Sequence, residues 1–164
     1  MTTRWLKVLL VAAIALDCSI AVFDNLTDYW SNYYFVQHVL SMDTTFPGNK
    51  AMWRAITHPV WHHMAYAIII VIEFLAAVFC WGGAIRLCKT IQDPTRFHKA
   101  KKSAIIGLAI GLVLWLVGFM TIGGGWFLMW QSKEWNGQEA AFRLAAITGI
   151  VLVYLSLPDT TNDA

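Results

Sequence analysis

Residues 103–130 read SAIIGLAIGLVLWLVGFMTIGGGWFLMW, 28 residues without a charge. About 20 apolar residues cross the roughly 30 Å hydrocarbon core of a bilayer, so this stretch predicts a membrane-spanning helix. A soluble helix would keep a polar face, and this one has none. Lys99, Lys101 and Lys102 stand before it, while Trp126, Trp130 and Trp135 cluster at its far end. A basic flank and an aromatic belt at opposite ends orient the segment, with the lysines cytoplasmic.

Composition carries the same reading to the whole chain. Of 164 residues, 58% are hydrophobic and 13% charged, about half the ~25% charge of a soluble domain. The length holds one membrane domain, residues 1–164, and no separate soluble one. That leaves nucleic-acid binding unsupported. Cys18, Cys80 and Cys88 have neither CxxC nor Cys/His spacing, so no disulfide framework or zinc site is expected.

Before the organising stretch, Arg4 and Lys7 precede an apolar run broken by Asp17. Ala13-Ile14-Ala15 mimics a signal-peptide cleavage site, and Cys18 mimics a lipoprotein one, where Asp17 is a poor fit. A retained first span over about residues 6–26 is the better reading. Asp17, Ala21, Asp24 and Asp28 share one helical stripe, which should avoid lipid. A second span, about 59–86, opens at His58-Pro59 and carries Glu73 near its middle. The organising stretch is the third span, and about 139–157 is the fourth, stopped by Pro158. Residues 27–58 form an ordered, aromatic-rich cap on the outer face, with a Pro47-Gly48 turn and a short helix from Asn49 to about Thr57.

Residues 86–102 read as a basic cytoplasmic loop, fit to touch anionic headgroups. With Arg4 and Lys7 the inner side has eight basic residues, against four outside (Lys50, Arg54, Lys133 and Arg143). The expected architecture is therefore an all-α, integral membrane four-helix bundle with both termini cytoplasmic. Gly107 and Gly111 form a GxxxG pair extended by Gly118, a small face for helix packing. The glycines at 123–125 should loosen the outer third of the span, and a run this long should tilt or break.

Four segments also carry a resemblance: NLTD (25–28), VQHVLSMDTTFPGN (36–49), WFLMWQS (126–132) and WNGQEAAFR (135–143). Together they resemble a bacterial family of predicted small integral membrane proteins of unknown function. The resemblance spans the chain and implies a four-span bacterial inner-membrane protein. It implies no activity and no functional residue.

Four constellations could carry chemistry. Asp17 and Glu73 both lie near mid-membrane, where a carboxylate is expensive and faces the bundle interior. If they meet, they form a proton relay, a cation site or a polar ligand site. Otherwise each is a protonated carboxyl bonded to a neighbour, helping helices pack. Asp24 and Arg143 at the outer boundary are candidates for an interhelical ion pair, with Glu139 as a local rival four residues from Arg143. His58, His62 and His63, with His38, make a weak metal candidate that has no third ligand at diagnostic spacing. Trp30, Trp53, Trp61, Trp126, Trp130 and Trp135 form an outer aromatic cap, readable as an interfacial belt or as a cleft for lipid or quinone.

No nucleophile set or nucleotide motif occurs, so the expected function is non-enzymatic. The first reading is an accessory subunit of a larger, respiratory-type membrane complex, or a homo-oligomer in contact with membrane lipids. The alternative is a small transporter or lipid- or quinone-binding protein using Asp17 and Glu73.

Overall fold

The computed structural model describes residues 1–159. Among them there is no strand, and four helices are long and apolar enough to cross a membrane. They are α1 (Thr2–Thr27), α3 (Pro59–Lys89), α4 (Pro94–Val113) with its continuation Leu114–Trp126, and α5 (Gln138–Ser156). At about 1.5 Å per residue even the shortest, with 19 residues, approaches the roughly 30 Å core. Large apolar side chains such as Leu9, Phe74 and Ile150 point outward, as a lipid-facing surface requires. Eight of the twelve Lys and Arg residues gather at one end of the bundle and six of the nine tryptophans at the other.

Both ends of the third span differ from the sequence reading. The third span begins at Pro94, so residues 94–102 are helix and the basic connection shrinks to residues 90–93. The cause is local: Asp93 Oδ1 accepts from the amides of Thr95 (2.9 Å) and Arg96 (3.0 Å), and Pro94 sits at the first helical position. The same span leaves the helix at Trp126 and not at residue 130. Leu128 takes a left-handed conformation (φ 56°) and starts a 3-10 turn, Met129–Gln131. Between these limits the helix changes gauge. Leu114–Trp126 is wound as a π-helix, and Thr121 Oγ1 donates to the carbonyl five residues back, Leu116 O (2.9 Å). Gly118 and the glycines at 123–125 supply the weak helix former that lets the α-ladder yield there.

The cap is more helical than expected. Tyr29–Ser41 forms α2, which buries Tyr33, Val36 and Val39 and ends at left-handed Met42. Asn49 Oδ1 accepts from Ala51 N (2.9 Å), but the helix that follows is only the 3-10 turn Met52–Arg54. Three hydrogen bonds hold the cap to the end of the third span: Thr44 Oγ1 donates to Ser132 Oγ (2.9 Å), Phe46 N to Gln131 Oε1 (3.0 Å), and Arg54 Nη1 to Trp126 O (3.3 Å).

Helices α3 and α4 make the closest crossing. A Cβ on Gly107 would stand 2.6 Å from Cys80 Sγ and 2.7 Å from Cys80 N, and one on Gly83 2.5 Å from Ala104 N. Gly111 has only ordinary clearance, with Ala76 Cβ at 4.0 Å, and Gly118 faces nothing but its own Leu114. The small face read at Gly107, Gly111 and Gly118 thus reduces to Gly107 against Cys80, joined by Gly83 against Ala104, and it serves this chain's own hairpin. Around the crossing packs the main apolar cluster, including Val11, Ala84, Leu87, Phe97, Leu108 and Leu155.

The basic end is locked by charges that the sequence reading left in solvent. Lys7 Nζ lies 2.8 Å from Asp159 Oδ1, and Lys101 pairs with the other oxygen; the three side chains are 3%, 2% and 1% exposed for Lys7, Lys101 and Asp159. Both ammonium groups also donate to Leu157 O, at 2.9 and 2.7 Å. Arg4 Nη1 donates to Ile91 O (2.5 Å), which closes the α3–α4 connection over α1. Burial alone would raise the Asp159 carboxyl, but hydrogen bonds and charge from Lys101 and Lys7 take it below its ordinary value.

Candidate functional site

The tryptophan-bearing half of the bundle holds a second concentration of buried polar side chains among the described residues, including Asn25 and Glu73. Its hub is Asn25, in the last turns of α1. Asn25 Nδ2 donates to Glu73 Oε2 (2.7 Å), while Asn25 Oδ1 accepts from Asn32 Nδ2 (2.7 Å) and the Tyr66 hydroxyl (3.1 Å). The turn at Asp28 between α1 and α2 makes this possible, because it folds Asn32 back onto a residue only seven positions earlier. Glu73 is 4% exposed and Tyr66 1%. Only Oε2 of Glu73 accepts a hydrogen bond from the described residues, which leaves Oε1 without one.

These groups line a cavity of about 320 Å³ enclosed by α1, α2, α3, the π-wound segment and α5. Asp24 stands at its edge, Trp115 and Phe119 form an aromatic wall, and Ala140 and Ala141 close the α5 side. A second cavity of about 300 Å³, lined almost wholly by carbon, shares the wall Phe35, Val36, Ile69 and Phe119 with the first. Both fall in the size range of small-molecule pockets, about 300–1,000 Å³. The pair presents a polar chamber beside an apolar one.

The sequence candidates distribute unevenly over this geometry. Glu73 is in the site. Asp17 is exposed, one turn from Ala21 toward the basic end, and makes no side-chain hydrogen bond or ion pair with the described residues. The donor to Glu73 is Asn25, and no hydrogen bond joins the two carboxylates. No ion pair forms between Arg143 and either Asp24 or Glu139 among the described residues. Asp24 turns to the cavity, whereas α5 presents Ala140, Ala141 and Leu144 there and leaves Arg143 exposed.

The four histidines do not assemble either. His38 hydrogen-bonds Asp43 (2.8 Å) and stacks on Trp135; His58 Nδ1 caps α3 through Val60 N (3.3 Å). His62 Nε2 meets Ile56 O (2.7 Å), and His63 Nδ1 hydrogen-bonds with the Tyr29 hydroxyl (2.7 Å). No group of three His, Cys, Asp or Glu placed to hold a metal occurs among the described residues. His98 lies in the third span's early turns, at the basic end and 3.7 Å from Asp159.

The tryptophans hold the aromatic end as a rim. Trp53 and Trp126 flank the Arg54 guanidinium at 5.2 and 4.6 Å, and Trp130 meets Phe46 edge-on. Trp30 and Trp61 are exposed beside them. None of these tryptophans lines either cavity.

Sequence reasoning missed Asn25, Asn32 and Tyr66. Asn25 carried the one available signal, an amide one residue from Asp24 in an otherwise apolar helix.

Residues 3–158 match the profile of a family described as predicted small integral membrane protein, DUF2165. The chain belongs to this family. No curated protein and no solved structure matches it. DUF2165 membership agrees with the four apolar helices and makes the protein a small multi-pass integral membrane protein. The description assigns DUF2165 no reaction, so the chemistry has to be argued from the cavity pair.

Proposed function

We propose that this DUF2165 protein is a non-enzymatic bacterial inner-membrane protein that binds an amphipathic, lipid-like molecule in the outer half of its bundle. The observation that carries the proposal is the shared wall. A polar chamber built on Glu73, Asn25 and Asn32 adjoins an apolar chamber of similar volume, so a headgroup and a chain fit side by side. Eight basic residues at the end opposite the tryptophans support a cytoplasmic position for that end and for both termini.

The test uses purified protein in zwitterionic lipid nanodiscs and a long-chain alcohol carrying a photoactivatable diazirine. Label is expected on Trp115, Phe119 and Ala141, and Ala140→Phe, which fills the mouth from an exposed position, reduces it at least about fivefold. Even labelling of outward residues such as Leu9 and Ile150, unchanged in Ala140→Phe, overturns the proposal.

A second reading rests on Asp17. A carboxyl exposed near the middle of a span is costly in lipid, about 2.5–3.5 kcal/mol on insertion scales, so a partner helix covering α1 is favoured. That is the accessory-subunit or oligomer reading. It no longer draws on the glycine face, which is used up inside the chain. Purification at native expression should bring a stoichiometric partner or a homo-oligomer that Asp17→Leu weakens. A lone monomer from wild type and variant alike sinks it.

A further inference from the structure

Resting on the amphiphile reading above, we infer that the bound molecule carries a positively charged headgroup, an ammonium on an apolar chain, seated between Glu73, Asp24 and the aromatic wall. Three observations converge. First, the polar chamber has two carboxylates on its lining, Glu73 and Asp24, and no Lys, Arg or His. An anionic headgroup would find no counter-charge there, and Glu73 would repel it.

Second, Glu73 is 4% exposed and only its Oε2 accepts a hydrogen bond, from Asn25. Glu73 is on the chamber lining, and its Oε1 accepts no hydrogen bond from the described residues. A charge-assisted N–H···O bond from an ammonium is among the strongest contacts available to it.

Third, the wall facing these carboxylates is aromatic: Phe35, Tyr66, Trp115 and Phe119 all line the chamber. Ring faces attract a desolvated cation by about 2 kcal/mol and give nothing comparable to a phosphate or a neutral carbonyl. The adjoining apolar chamber, with Val39, Ile68, Ile72 and Leu114 on its lining, takes the chain. A quinone satisfies the apolar half of this site but offers no donor to Glu73.

The experiment is competition against the photoactivatable alcohol in the same nanodiscs. Dodecylammonium and dodecanol are compared at equal mole fraction in the disc. Dodecylammonium is expected to displace the label at about one-tenth the concentration of dodecanol. In Glu73→Gln, whose amide oxygen can still accept from Asn25, the two compounds should compete equally for whatever cavity label the variant takes up. Equal competition by the two compounds, with cavity labelling intact, overturns the cation inference and leaves the amphiphile reading standing. Absence of cavity labelling in wild type overturns both. An advantage that persists in Glu73→Gln also counts against the inference, since the charge would then be read elsewhere.

Discussion

Asp159→Ala is expected to destabilise the protein by about 3–5 kcal/mol, the range for removing one partner from a buried ion pair. Among the described residues Asp159 is the single carboxylate that both Lys7 and Lys101 reach, and neither lysine is more than 3% exposed. Without it, two ammonium groups share Leu157 O as their remaining acceptor. Most of the cost is the burden of uncompensated charge, so a second change should return part of it. Lys101→Met in the Asp159→Asn background removes one orphaned cation and is expected to be more stable than Asp159→Asn alone. Denaturant titration in mixed micelles, followed by far-UV circular dichroism, gives both numbers.

The pH dependence follows from the same geometry. The folded-state pKa of Asp159 lies below its ordinary value, so the unfolded chain binds the proton more readily. Its stabilisation is complete above the ordinary carboxylate range, near pH 4, and is lost as pH falls through the lowered value. Wild type should therefore lose stability in that acid window, and Asp159→Ala should not show this component. A variant as stable as wild type at neutral pH would mean the network has no energetic weight.

The second large effect is expected at Gly107. Gly107→Ala places a methyl against Cys80 Sγ, Cys80 N and Ala76 O, at 2.6, 2.7 and 3.0 Å. Two of those atoms are backbone and cannot step aside, so α3 and α4 must part. Overpacking of this kind costs about 1–3 kcal/mol, and the backbone contacts place this case at the upper end. Gly111→Ala is the internal control one turn away. Its Cβ would meet Ala76 Cβ at 4.0 Å, while the unfolded chain loses freedom, so the change should be neutral or stabilising by about 0.4–1 kcal/mol. The order Gly111→Ala at or above wild type, with Gly107→Ala well below, tests the crossing. Equal midpoints for the two variants would place the α3–α4 contact elsewhere.

The four spans are legible because each is a long run of apolar side chains, and lipid demands that the backbone inside it be helical. The start of the third span is not, although Asp93-Pro94 is an explicit helix-start signal. Lysines and arginines after Pro94 serve equally well as topology markers, and that reading masks the cap. The π-winding of Leu114–Trp126 leaves only indirect traces in the glycines it contains.

The site divides the same way. Glu73 stands out because a carboxylate in the middle of a span is costly. Its partner does not, since spacing fixes the face of a residue on its own helix and says nothing about how two helices are rotated against each other. Asp17 shares a stripe with Asp24, yet Asn25, next on the helix, is the residue that turns to Glu73. Nor can the burial of Lys7 be read locally, because its counter-charge stands 152 residues away.

That separation bears on biogenesis. The ribosome delivers α1 first, and Lys7 enters the membrane region long before Asp159 has been polymerised. Until then its ammonium has to remain among headgroups and water, where a long lysine stem can reach. The α3–α4 hairpin closes on contacts within residues 76–107, chiefly Gly83 against Ala104 and Gly107 against Cys80, so that pair of helices can settle while the rest is still being made. The first helix translated is thus among the last to be fastened. Chains released short of Asp159 would carry all four spans and lack the latch, a difference by which membrane quality control can tell finished molecules from interrupted ones.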